Sequence, residues 1–338
     1  MKTVLFYSSV KTKKMFSIQS YYRNDILILK SLGYNVRLSN SFADFFCFWK
    51  YNVAFLYFYR YGLIPAIISK CFCKKVYFTG GIDYLDKTFA TLKQRKIQGL
   101  FFQMCNLFSD TSILVSTTDK QNIESLYGGK LPSNCKISYH IVDFNRFIYT
   151  GAFREKKSQF CTIAWMVNQD NFFRKGIDRA VRVFSRLVQD YPDYKLYIAG
   201  SPGKGSEALV KLIKELDIEK SVIYLGTITE EEKISLLKES MFYFQLSTYE
   251  GFGIAALEAL AAGCIVIHSG RGGLKDAIGG FGYQFDIENE DEIVMFLKEY
   301  CSKSSIENIY LKDAINYVKE NFSFNQRYNS FKEIIGIS

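Results

Sequence analysis

Short apolar runs alternate along this chain with longer segments of helical periodicity, and that alternation predicts strands and helices in turn. Val4–Tyr7, Tyr34–Leu38, Val53–Tyr57, Val76–Phe78, Ser112–Ser116 and Lys136–Tyr139 read as buried strands of a first half. Helices are predicted over Tyr21–Leu32, in the aromatic stretch that begins at Ser41, and over Leu63–Cys71, Lys87–Ser109 and Lys120–Tyr127. In the second half, strands are predicted at Cys161–Val167, Tyr194–Gly200, Met241–Leu246 and Ile265–His268. Helices are predicted at Ile177–Gln189, Ser206–Asp217, Asp291–Cys301, Tyr310–Asn321 and Asn325–Ile335, with Asn168–Phe173 a loop. Thr229 and Glu232 have the spacing of a capping box that opens one more helix. Such alternation predicts an α/β protein with parallel, doubly wound sheets. The polar, basic stretch Tyr149–Gln159 separates the two apolar halves and predicts a linker between two domains.

One run carries chemistry. Residues Ser247–Gly263 read S-T-Y-E-G-F-G-I-A-A-L-E-A-L-A-A-G and follow the apolar run MFYFQL, which predicts strand, glycine-flanked turn and short helix, with Gly263 as its C-cap. Gly251 and Gly253 let backbone approach a ligand closely, and the first helical turn offers free N–H groups to a phosphate. Glu250 in the turn and Glu258 eight positions on are unsuited to phosphate but suited to sugar hydroxyls. Phosphate and hydroxyls together describe a nucleotide sugar. Strand–turn–helix units are common and a helical Glu is ordinarily solvated. This helix, however, is apolar almost all round, so a buried Glu258 would require a partner.

Composition narrows the field. The chain has 338 residues, 48% hydrophobic, with 30 Phe and 24 Tyr and a net charge of +9. It can bury a large core, and it favours anionic partners. The basic residues are scattered and no nucleic-acid-binding motif is present, so nucleic acid is not an expected partner. Between Ser41 and Phe78, Lys50, Arg60, Lys70, Lys74 and Lys75 are interleaved with aromatic rings, a pattern that fits a peripheral membrane contact as well as an aromatic core with surface lysines. The 8 Cys lie mostly in apolar surroundings and read as reduced core thiols, and with 2 His no metal site is expected. The N-terminal run has no cleavage-site pattern and Arg60 interrupts the longest apolar candidate span, so a cytoplasmic protein is expected.

The Ser247–Gly263 run resembles the glutamate–seven–glutamate signature of retaining GT-B glycosyltransferases, family 4 in particular, with Glu250, Glu258 and the G-F-G-I loop matching. The segment His268–Asp276 (HSGRGGLKD), together with KLYIAG at Lys195–Gly200 and VIYLG at Val222–Gly226, falls in that family's order. The resemblance is specific over about Ile163–Phe285 and loose over the first 150 residues. It implies two Rossmann-like domains facing an inter-domain cleft: residues 1–150 binding the acceptor, 158–320 binding the nucleotide sugar, and a C-terminal helix in 321–338 crossing back onto the first domain. Phe322, Phe324, Tyr328 and Phe331 would pack there.

By the same resemblance, Glu258 holds ribose hydroxyls and Glu250 the donor sugar, while backbone at Phe252, Gly253, Ile254 and the Gly272–Gly273 pair meets diphosphate or sugar. Lys175 matches the family lysine. Ala164-Trp165 stands where the family has Gly-Arg, leaving Arg174 as a substitute cation. Gly80-Gly81 followed by Asp83 stands where many relatives have His-Gly, so Asp83 is the candidate base, or else a helix cap. His140 replaces a family Asn, and the Gly-rich first loop is missing, with Ser8, Ser9, Lys11, Lys13 and Lys14 in its place. The implied activity is metal-independent, retaining sugar transfer from a nucleotide diphosphate sugar to a saccharide or lipid-linked acceptor in cell-surface polysaccharide synthesis. No cofactor is expected. A nucleotide-sugar epimerase of the same fold and a non-catalytic partner protein are the alternatives.

Overall fold

Each half of the chain builds a six-stranded sheet in which every neighbouring pair is parallel. A computed structural model describes residues 1–152, 155–302 and 308–336; Phe153 and Arg154 of the predicted linker lie outside the described residues. The first half runs β1 (Thr3–Tyr7), α1 (Met15–Ile18), α2 (Ser20–Ser31), β2 (Asn35–Ser39), β3 (Val53–Tyr57), α3 (Tyr59–Cys71), β4 (Lys75–Thr79), α4 (Leu92–Leu107), β5 (Thr111–Leu114), α5 (Thr117–Leu126) and β6 (Cys135–Ile137). The sheet order is β2-β1-β3-β4-β5-β6. Helices α3 and α4 cover one face through Leu5, Leu56, Phe78 and Phe102, and α2 covers the other through Val4, Phe6, Phe55 and Ile28.

The aromatic stretch after Ser41 does not form the predicted α-helix. It makes two short 3-10 turns, Phe42–Phe46 and Phe48–Lys50. Single rings anchor it instead: buried Phe45 lies edge-on to Tyr7 and Tyr51 at 5.4 and 5.7 Å, and the Tyr51 hydroxyl hydrogen-bonds to the Phe45 carbonyl oxygen at 3.2 Å. Rings at nearly every position leave no period to read, so pattern alone overcalls a helix there.

The second half runs α6 (Phe144–Phe147), β7 (Lys157–Ile163), α7 (Gln169–Arg174), α8 (Ile177–Leu187), β8 (Lys195–Ala199), α9 (Lys204–Glu215), β9 (Val222–Gly226), α10 (Glu230–Glu239), β10 (Ser240–Gln245), α11 (Ile254–Ala261), β11 (Ile265–His268), α12 (Leu274–Ile278), β12 (Tyr283–Gln284), α13 (Glu290–Ser302), α14 (Asn308–Asn321) and α15 (Phe324–Ile335). Its sheet order is β12-β11-β10-β7-β8-β9. The compact units are Met1–Val142 with the segment from Phe322, and Asp143–Asn321. Residues 143–150 thus group with the second unit: α6 packs on α10 and α11, and the Tyr149 N–H donates to the Ala261 carbonyl at 3.1 Å.

Helix α15 is held in the first unit by a buried charge. Arg327 is fully buried and donates through Nε and Nη2 to the two carboxylate oxygens of Asp25 at 2.6 and 2.9 Å, with Nη1 on the Tyr139 carbonyl at 2.8 Å. The Tyr57 hydroxyl donates to the same carboxylate. Phe331 and Phe322 are buried, whereas Phe324 is exposed at the start of α15. Arg327→Met leaves the Asp25 carboxylate buried without its cation and is expected to cost about 3–5 kcal/mol. Urea denaturation of the full chain checks this, and the double variant Asp25→Leu/Arg327→Met should recover a large part of the loss.

Candidate functional site

Strand β10 lies between β7 and β11 and is buried almost throughout, with Ser240 at its start and Gln245 at its end toward the turn that follows. The turn that follows is set by glycines. Gly253 has φ 103°, and a Cβ there would come within 2.6 Å of Leu274 Cδ1, so only glycine fits at the entry to α11. Gly272 has φ 68°, and a Cβ there would meet the Glu250 carbonyl at 2.2 Å. That close approach forms a parallel bridge between Glu250 and Gly272, and the Gly273 N–H donates to the Glu250 carbonyl at 2.8 Å. The two glycine segments singled out in the sequence therefore meet in the structure. Gly251 and Ile254 are half-buried and Phe252 is buried.

The Glu250 carboxylate sits on this frame. Lys175 Nζ donates to both of its oxygens at 2.8 Å. Gln245 Nε2 and Ser247 Oγ donate to Oε1 at 2.8 and 2.7 Å. The Tyr243 hydroxyl donates to the Gln245 amide oxygen at 3.2 Å, which turns the amide N–H toward the glutamate. Backbone contacts bring the lysine into place. The Thr248 N–H donates to the Arg174 carbonyl at 2.8 Å, and a Cβ on Gly176 would lie 1.9 Å from the Leu246 carbonyl oxygen. Burial pushes the Glu250 carboxyl up, but the charge and hydrogen bond of Lys175, the Ser247 hydroxyl and the charge of Arg174 outweigh it and hold the group below its ordinary range. Glu250 is thus a buried carboxylate that stays ionised at neutral pH.

Glu258 is buried on α11, as the apolar character of that helix predicts, at 3% exposure. The partner it requires is Lys233 of α10, whose Nζ lies 3.0 Å from both carboxylate oxygens, 3.1 Å from Glu230 and 5.0 Å above the Phe147 ring. Each glutamate of the run therefore faces one ammonium at both of its oxygens.

Asn168–Phe173 is not the predicted loop: Gln169–Arg174 forms α7, capped by Asn168, whose side-chain oxygen accepts from the Asn171 N–H at 2.8 Å. Arg174 ends this helix half-buried. Strand β7 stops at Ile163, and the following residues lie against the glycine loop 200–205. Added Cβ atoms at Gly200, Gly203 and Gly205 would meet the carbonyls of Ala164, Val167 and Met166 at 2.1, 2.3 and 2.5 Å. Trp165, where the resemblance places an arginine, is exposed. His268 ends β11, and burial pushes its imidazole down to about 4, so it is neutral.

Asp83 belongs to the first unit, in the turn Asp83–Leu85. Its neighbour Asp119 is buried, and burial first, then the charge of Asp83, push the Asp119 carboxyl well above its ordinary range. His140 of the same unit is pushed well below its ordinary value by burial and by Arg327. Among the described residues no group of three or more His, Cys, Asp or Glu side chains is placed to hold a metal ion, and no helix is long and apolar enough to cross a membrane.

Residues 147–319, just over half of the chain, match the family described as glycosyl transferases group 1. The chain belongs to this family. A GDP-mannose:cellobiosyl-diphosphopolyprenol alpha-mannosyltransferase of Xanthomonas oryzae pv. oryzae is 26% identical over 232 residues, covering 62% of this chain and 60% of the relative. A poly(glycerol-phosphate) alpha-glucosyltransferase of Bacillus subtilis is 27% identical over 155 residues, 44% of this chain and 23% of the relative. The match thus spans about 60% or less of these relatives' own length. The crystal structure of Anabaena HepE with UDP and glucose superposes with a TM-score of 0.76 at 14% identity, covering 99% of each chain, which establishes the GT-B fold.

Within this group 1 member, sequence reading missed four side chains at or near the predicted groups: Lys233, Gln245, Ser247 and Asp119. Lys233 had one available signal, a cation directly after three glutamates in the helix before the signature. The pH dependence of stability tests the Glu250 assignment. A carboxyl held low in the folded state contributes stability that is present above its ordinary value of 4.5 and is lost as pH falls through the lowered folded value. Wild type should therefore exceed Glu250→Gln in thermal stability at neutral pH, and the gap should shrink as the pH drops below 4.5.

Proposed function

We propose that this protein is a retaining glycosyltransferase that moves a sugar from a nucleotide diphosphate sugar to a saccharide or lipid-linked acceptor. The observation that carries the reading is the pair of buried glutamates flanking the start of α11, each gripped at both oxygens by a lysine. Ionised, fixed carboxylates suit hydroxyl groups, and the N-terminus of α11 beside them suits a phosphate. In this reading Glu258 takes the ribose hydroxyls and Glu250 the donor sugar. The backbone of Gly251, Phe252, Gly253, Ile254, Gly272 and Gly273 lines the donor. Lys175 and Arg174 meet the diphosphate, whose leaving oxygen gathers negative charge as the glycosidic bond breaks. Fixed cations and helix N–H groups stabilise that charge without requiring a metal, and the leaving oxygen can itself accept the acceptor's proton.

The first unit is assigned the acceptor, with Asp83 as the group offered to its hydroxyl. HepE was solved with UDP and glucose, and the Xanthomonas relative is named for transfer to a diphosphopolyprenol-linked cellobiose, which supports a nucleotide sugar donor and a lipid-linked saccharide acceptor. Such an acceptor places the work in surface-polysaccharide synthesis, in the cytoplasm at the inner membrane face.

A thermal-shift screen across UDP-, GDP-, ADP- and CMP-sugars is expected to find a donor that raises the melting temperature of wild type. With that donor and an acceptor, Lys175→Met should lower turnover by about 100- to 1000-fold, and Glu258→Gln should raise the donor KM more than it lowers kcat. An altered sugar from donor alone would mark an epimerase. Donor binding with neither transfer nor hydrolysis, and Glu250→Ala tolerated in complementation, would mark a non-catalytic partner.

A further inference from the structure

The α3–α4 face of the first sheet carries apolar side chains on its outer surface that the core does not use. In α4 the positions Ile97, Leu100, Met104 and Leu107 recur at helical spacing on the exposed side, with Leu107 82% exposed, while Phe102 and Cys105 face the core. Helix α3, packed beside α4, exposes Tyr61 and Ile64. The 3-10 turns packed on α3 expose Phe46 and Trp49, the latter at 68%. Phe48 of these turns stacks on Phe72 at the end of α3, with ring centroids 3.8 Å apart, so turns and helix form one continuous surface. Soluble surfaces rarely gather this many large apolar side chains without an occupant.

The charges around it are mostly of one sign. Residues 45–82 contain no Asp or Glu but hold Lys50, Arg60, Lys70, Lys74 and Lys75, and residues 87–109 contain none but hold Lys87, Lys93, Arg95 and Lys96. Of the acids at the border, Asp110 pairs with Lys70 and Lys75, Asp44 pairs with Arg37, Asp86 accepts from Thr88 and Asn122, and Asp83 lies beside the buried Asp119 in the turn before α4. On α4, exposed Lys93 lies one turn before the first stripe residue, Ile97, and exposed Lys96 lies directly before it.

From this geometry we infer that the outer face of α3, α4 and the Phe42–Lys50 turns docks on an anionic lipid bilayer, its aromatic and aliphatic side chains entering the interface and its cations meeting lipid phosphates. Charge complementarity selects this occupant. A second copy of the chain, docking the same face on itself, would bring like charges together around the apolar stripe. The inference names the surface behind the membrane contact in the proposed function, yet it rests on first-unit residues outside the donor-binding run.

The test is co-sedimentation of the full chain with vesicles of phosphatidylcholine alone or mixed with phosphatidylglycerol. Binding is expected only to the mixed vesicles, and it should weaken as salt rises. Leu100→Glu/Leu107→Glu, both at exposed positions, should lower the vesicle affinity by about tenfold or more, with the melting temperature and its donor-induced rise unchanged. Lys93→Glu/Lys96→Glu should also weaken binding and flatten its salt dependence. No sedimentation with the mixed vesicles, equal sedimentation of the variants, or a concentration-dependent dimer that the Leu substitutions abolish would overturn the inference. Vesicle binding needs neither donor nor turnover, and the donor-induced shift needs no vesicle, so failure of one reading is distinguishable from failure of the other.

Discussion

The second unit depends on a carboxylate that cannot be left alone. Glu250 lies in the turn just beyond a buried strand, itself buried, where a charge without partners is strongly unfavourable. Its cation comes from 75 residues earlier in the chain, at the junction of α7 and α8. The backbone there must press against the end of β10 for the lysine to reach, and this explains Gly176: any side chain would drive into the Leu246 carbonyl. Gly272 serves the other side of the same turn by letting its backbone bridge that of Glu250. Three separate segments are thus positioned around one ionised group.

Stability alone does not account for this arrangement. Well-packed hydrophobic replacements for buried ion pairs are often neutral or stabilising. Here the expense is repeated, once at Glu250 in the turn before a short helix and again at Glu258 within it, where the other helix residues are nearly all apolar. The Gln245 and Ser247 donors to Glu250 add rigidity rather than neutralise charge. An oxygen held by Lys175, Gln245 and Ser247 has one orientation, and the cost of arranging it is met during folding, before any ligand arrives. That is the arrangement the proposed donor site requires of this chain's own residues.

What could be read from the sequence follows from how local each cause is. The strands, the Gly253 turn and the burial of α11 were legible because a few neighbouring residues determine them. Lys233 was not, since E-E-E-K-I-S looks like a solvated helix face and its partner Glu258 lies 25 residues on. Gln245 was hidden as the last letter of an apolar strand, where its amide gives no local hint that it reaches a glutamate. Helix α7 escaped because a six-residue helix begun by Asn168 shows one buried position, Phe172, too few to set a period. The aromatic stretch failed in the opposite direction, with so many rings that every period fits.

The two units also close differently. Asp143–Asn321 is continuous in the chain, so its sheet and both lysine–glutamate pairs can form before the last helix exists. The first unit is not: Asp25 meets Arg327 across 302 positions. Until α15 arrives, the first sheet has its strands, but the face carrying Phe55 lacks Phe331 and Ile335, and Asp25 lacks its guanidinium. A carboxylate in that state favours solvent over the core, so α2 cannot settle on the sheet with the energy it has in the finished protein. The closure cost of a long loop rises only slowly with its length, so the distance itself is tolerable. The order is what matters: the unit made first is completed last, and its completion depends on one guanidinium reaching Asp25, Ser138 and Tyr139 together.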